Sequence, residues 1–125
     1  MMTLTALYVA AGGALGAVGR FWLSSYVSQQ IKGVFPWGTV IVNLVGCFFL
    51  GLLWGALPLS NDSPLRLAII AGFLGALTTF STFTFDIIFL ASSSKWESAI
   101  LYFLISAGGG LVMTLLGLAL SGQLN

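Results

Sequence analysis

The side chains able to do chemistry crowd into one run, Thr78-Thr79-Phe80-Ser81-Thr82-Phe83-Thr84-Phe85, which sets five hydroxyls among three phenylalanines. A hydroxyl donates one hydrogen bond and accepts others, so it can hold an anion as well as a neighbouring helix. The edge of a phenyl ring carries partial positive charge and its face partial negative charge. Phe80 and Phe83 stand three apart and share a helix face. Ring edges along a narrow path would favour a small anion, although an aromatic pair at this spacing is ordinarily core packing. Hydroxyls inside a span also bond back to the preceding turn and loosen it. Gly75 adds backbone freedom just upstream. A break between Gly75 and Thr79 would release main-chain carbonyls that need partners in a bilayer. A cation is one such partner, as in the discontinuous helices of transporters. An unbroken helix, its hydroxyls bonded to its own backbone, is the alternative.

Other polar groups sit in apolar runs. Asn43, within VIVNLVGCFFLG, is an amide that must find partners. It either bonds across helices or offers its NH₂ group to an anion. Tyr102, Ser106, Gly110 and Thr114 recur every four residues as one semi-polar stripe with a gap at Gly110. That stripe faces either Asn43 and the phenylalanines or simply another helix. Two charges, Arg20 and Asp86, lie in or near the apolar runs. Arg20 either concentrates anions at a pore mouth or bonds to carbonyls at a helix end. Cys47 is the single cysteine, so it forms no intrachain disulfide and reads as a small core residue.

What must position these groups is a bilayer. The chain has 125 residues, 58% of them hydrophobic and 6% charged, with mean hydropathy +1.08. A soluble domain carries roughly a quarter charged residues, so this one cannot cover a globular surface with polar groups. Four apolar segments, about 3–27, 36–58, 65–91 and 96–120, are long enough to cross a membrane. The expected fold is therefore all-α, a single four-span membrane domain over 1–125 with the third helix broken near its middle. Pro36 and Pro58 bracket the second span, and Ser63-Pro64 reads as a cap and first helical position. Trp22, Trp37, Trp54 and Trp96 fall near span ends, where amphipathic rings suit the headgroup region. The N-terminal stretch lacks a basic leader and is too long for a signal core, so it reads as a retained first span. A net charge of +1 offers no face for nucleic acid. With no histidine, one thiol and three carboxylates, the usual catalytic and metal-binding constellations cannot be assembled, and no enzyme is expected.

Gly12-x-x-x-Gly16 and Gly51-x-x-x-Gly55 let helix backbones approach closely. Packing within one subunit is the ordinary use of such motifs. Four helices alone seldom enclose a wide aqueous path, so an oligomer is expected. Lys32 and Lys95, with Arg20, fall on one side of the membrane and Arg66 on the other. So thin a bias sets orientation weakly. If both orientations are adopted, two copies can form an antiparallel homodimer of dual topology.

These pieces together resemble the Fluc fluoride channels, also called fluoride ion exporters. Four blocks carry the likeness across most of the chain: Gly12-Gly13-Ala-Leu-Gly16-Ala-Val-Gly-Arg20; Gly38-Thr39 with Asn43-Leu-Val-Gly46; Gly72-Phe-Leu-Gly75 leading into Thr78-Thr79-Phe80-Ser81-Thr82-Phe83; and the fourth span around Ser106. The resemblance implies a dual-topology homodimer in the bacterial cytoplasmic membrane, with two pores along the subunit interface, letting cytoplasmic fluoride leave passively. It implies a buried sodium ion held by main-chain carbonyls at the third-helix break, by position those of Gly75 and Thr78 from both subunits. It assigns Phe80 and Phe83 to the pore edges, and Asn43, Ser81, Thr82, Tyr102, Ser106 and Thr114 to the polar lining. Arg20 and Asp86 would belong to the vestibule. Two positions depart from the family pattern: many relatives have serine at Gly110 and glutamate at Asp86. Water or Thr114 would then replace one missing pore hydroxyl.

Two other classes compete. Small proton-coupled exporters of hydrophobic cations also have four spans and dual topology, but need an acidic residue mid-span. Here the first span has Arg20 and no carboxylate, and Asp86 lies late in the third. A non-conducting assembly subunit needs only the glycine motifs and leaves the hydroxyl and phenylalanine run unexplained.

Overall fold

A computed structural model describes residues 1–124, and among these every regular element is helical. The spans are Met2–Gln30, Trp37–Ala56, Pro64–Ser92 and Trp96–Leu120, each long and apolar enough to cross a membrane. The first runs past Val27 because nothing in Ser28-Gln29-Gln30 breaks a helix; the chain turns at Gly33, whose φ of 145° suits glycine. Pro36 caps the second helix and Pro58 stands just beyond its end. Pro64 opens the third span, but the Ser63 side chain makes no capping bond. Between 11% and 28% of each span's most apolar stretch is buried, so the outer faces remain apolar and open. Leu15, Trp22, Phe85, Ile88 and Leu111 are among the exposed side chains. Such a surface is what hydrocarbon solvates, and the chain is a multi-pass membrane protein.

Glycines bring the helices together within the chain. A Cβ on Gly12 would strike the Ala68 carbonyl, and one on Gly16 the Phe73 carbonyl. From the other side, a Cβ on Gly72 would lie 2.6 Å from the Val9 carbonyl oxygen. The first and third spans therefore touch backbone to backbone. The second and fourth meet in the same way, with Gly51 against Thr114 and Gly117 against Phe48. Both GxxxG motifs serve packing inside the subunit, the ordinary use of the pattern.

The third span is not one regular helix. Pro64–Leu67 is α-helical, Ala68–Leu74 is a wider π-helical stretch, and Gly75–Leu77 closes the first half. Thr78 (φ −88°, ψ 158°) and Thr79 (φ −147°, ψ 117°) are extended. A new helix then runs from Phe80 to Ser92. Gly75, expected to supply the freedom, itself stays helical at φ −62°, ψ −36°. The interruption falls instead where a threonine can cap the next helix: Thr79 Oγ1 accepts from the Thr82 N–H.

Arg66 has an unexpected place. It is 5% exposed, and its guanidinium donates to the Trp54 carbonyl at 2.7 Å and the Leu57 carbonyl at 3.4 Å. It also lies over the Trp54 ring, 5.3 Å from its centroid. The last carbonyls of the second helix lack donors of their own, and Arg66 supplies them.

Candidate functional site

The site grows from the interruption at Thr78 and Thr79. Asn43, in the second turn of the second helix, grips it from the side. The Thr79 N–H donates to Asn43 Oδ1 at 2.7 Å, and Asn43 Nδ2 donates to the Thr79 carbonyl at 3.1 Å. The amide thus replaces helix bonds that the break removed, satisfying backbone groups that would be costly to leave unpaired at membrane depth. Thr79 Oγ1 donates to Thr82 Oγ1 at 3.0 Å and lies 3.3 Å from Ser81 Oγ. Thr78 Oγ1 bonds back to the Leu74 carbonyl at 3.1 Å.

These side-chain bonds redirect the backbone. In an unbroken helix the Thr79 N–H would bond the Gly75 carbonyl, and the Thr82 N–H the Thr78 carbonyl. Both donors are instead taken by side chains, Asn43 and Thr79. The carbonyls of Gly75 and Thr78 are released from those helical partners, and both residues border a cavity.

That cavity, about 640 Å³, lies between the second, third and fourth spans. Phe80, Phe83, Asn43, Ser106, Gly110 and Thr114 are on its wall. The Phe80 and Phe83 centroids are 5.7 Å apart with planes tilted by 44°. Phe83 is buried, packed on Tyr102 (5.5 Å) and stacked on Phe103 (6.1 Å), while Phe80 is 76% exposed in the single chain. Ser106 is 9% exposed and its Oγ has no hydrogen-bond partner among the described residues. The Thr114 hydroxyl is committed to the Gly110 carbonyl at 3.0 Å. Three of the four stripe positions on the fourth span therefore border the cavity with Asn43 and the phenylalanines.

Tyr102, the fourth, packs on Phe83 but is not on the cavity wall. It is fully buried and donates to Asp86 Oδ2 at 3.0 Å. Thr39 donates to the same oxygen at 3.0 Å. A second cavity of about 270 Å³ lies on the other side of Thr79, bordered by Arg20, Ser24, Thr39, Thr79 and Thr82. The Arg20 carbonyl accepts from Ser24 Oγ at 2.7 Å, while its guanidinium makes no hydrogen bond or ion pair among the described residues; helix-end capping is the work of Arg66. Thr79 borders both cavities, Ser81 is exposed and borders neither, and Asp86 touches this region through Thr39. Sequence reasoning missed Thr39 as a carboxylate partner. Its signal was available, since Thr39 precedes Asn43 by four and shares its helix face. Arg66 carried no such signal, because its acceptors come from carbonyls 9 and 12 residues away.

The chain matches the family described as "CrcB-like protein, Camphor Resistance (CrcB)" over residues 7–118. It is 42% identical over 119 residues to a protein of Moorella thermoacetica named fluoride-specific ion channel FluC 2, covering 94% of this chain and 97% of the relative. It is 44% identical over 110 residues to a FluC of Nitratidesulfovibrio vulgaris, covering 86% and 83%. A FluC of Dehalococcoides mccartyi is 41% identical over 120 residues, 94% of this chain and 92% of the relative. With its four apolar spans and the threonine break gripped by Asn43, this chain belongs to the CrcB-like family.

Proposed function

We propose that this chain is the subunit of a fluoride-selective channel that lets cytoplasmic fluoride leave the cell passively. One observation carries the reading: Phe80, Phe83 and the unpartnered Ser106 hydroxyl share a cavity wall beside the interrupted third span. An anion entering there meets a free donor and aromatic edges in a dry setting, where such contacts are strongest. The relatives named as fluoride-specific channels support the choice of ion.

The working unit is an antiparallel homodimer in the bacterial cytoplasmic membrane. Support comes from the weak lysine bias and from a cavity that opens at the surface of the single chain, with Phe80 exposed at its edge. A second copy would close it. A sodium ion is the structural cofactor, held by the Gly75 and Thr78 carbonyls of both copies. The donor set fits: hard carbonyl oxygens, released from helical bonding because Asn43 and Thr79 take their N–H partners. When bound, the ion neutralises those dipoles and ties the two breaks together.

Liposome efflux tests the function. Vesicles loaded with fluoride should empty when the electrical constraint is relieved, while chloride-loaded vesicles stay full. Drug-driven proton movement without fluoride flux would favour the small exporters, and no ion movement would favour an assembly subunit.

A further inference from the structure

We infer that Cys47 forms part of the wall of the conduction path and is its reactive point, where a small thiol-specific disulfide-forming reagent closes the path. The inference rests on the channel reading above. Cys47 follows Asn43 by one turn on the second helix, and both border the 640 Å³ cavity with Ser106 and Gly110. Gly110 presents no side chain, and a Cβ there would meet, beyond its own helix, only Cys47 Sγ, at 3.4 Å. The sulfur therefore occupies the space opposite Gly110. One turn earlier, Ser106 Oγ is buried in the same wall without a partner among the described residues, so this stretch keeps a donor free for something that is not protein. Thr114 cannot supply another at this level, because its hydroxyl is bonded to the Gly110 carbonyl. At this level the Cys47 thiol is a weak donor, half-buried and not in a disulfide.

Methyl methanethiosulfonate is the probe. It is small, uncharged and crosses lipid, so it reaches either orientation. The Cys47 thiolate attacks its sulfenyl sulfur; a new S–S bond forms, methanesulfinate leaves with the electron pair, and the thiol proton passes to water. The product places a methylthio group opposite Gly110 in a path narrow enough for a bare halide. Since Cys47 is the only cysteine, the mass of the intact chain reads its modification directly.

The experiment combines that mass measurement with fluoride efflux from liposomes holding the full chain. Complete labelling should reduce efflux by about tenfold or more, and dithiothreitol should restore it. The Cys47→Ser variant should take up no label, and its efflux, at whatever starting rate, should not change on treatment. Gly110→Ala should slow labelling, because its added methyl group covers the sulfur. Fully labelled protein that conducts like the untreated sample overturns the inference, as does a thiol that stays unlabelled in conducting liposomes. Untreated protein that carries no fluoride overturns the channel reading itself, and the inference with it.

Discussion

Asn43 and the two phenylalanines divide the work at the break. Removing the Asn43 amide leaves the Thr79 N–H without its partner in a buried place, and such losses cost about 2 kcal/mol. Asn43→Ala should therefore lower unfolding stability by about that amount and abolish fluoride efflux. A variant that keeps both would remove Asn43 from the site. The phenylalanines differ from each other. Phe80 is exposed, so Phe80→Ile should suppress efflux with little change in the stability of the chain. Phe83 is buried between Tyr102 and Phe103, so Phe83→Ile should suppress efflux and also cost about 1 kcal/mol of packing. Both ring-deleted channels conducting like the parent would contradict the ring-edge account. The type of residue at each of these positions was legible in the sequence. Their commitments were not, since Asn43 could bond to an anion or to a helix until the position of Thr79 settled it.

Elements are held by two devices that differ in how visible they are. Glycine spacing announces close helix packing, and Gly51 and Gly117 deliver it between the second and fourth spans. Even one methyl group is too much there: Gly51→Ala should push the helices apart and destabilise the fold by about 1–3 kcal/mol, measured by thermal unfolding in detergent. Wild-type stability would mean that the helices shift at no cost. Arg66 is the less visible device. Its two bonds to the end of the second helix predict that Arg66→Ala frays that end, at a cost of about 2–3 kcal/mol. Hydrogen exchange at Leu53 to Leu57 should quicken locally; uniform exchange there would deny the cap. The four spans were readable from apolar length alone, to within three residues at their ends. A break near Gly75 to Thr79 stood in the sequence beside the alternative of an unbroken helix, and the residues of the interruption were decided by which hydroxyl could cap the following helix.

At the scale of the whole molecule, one chain leaves the cavity beside Phe80 open and most of its helix surface apolar. Lipid satisfies the second of these, and in the proposed assembly an inverted copy closes the first. Charge should then control yield. Replacing Lys32 and Lys95 with glutamine, and adding lysines beside Asp62, should drive most chains into one orientation. Efflux per milligram should fall, because inverted partners become scarce. Full efflux from a population proven to have one orientation would contradict the antiparallel dimer.

By itself the sequence determined the solvent of this protein and its four long apolar helices. Those follow from apolar length and helical spacing, which are properties of neighbours along the chain. Only the tertiary structure decided that Asn43 bonds to Thr79, that Tyr102 and Thr39 share Asp86, that Arg66 caps a helix, and that Cys47 stands opposite Gly110. Each of these pairs joins residues far apart along the chain. Which of them meet depends on how closely the glycine faces let the helices approach, and no local pattern encodes that distance.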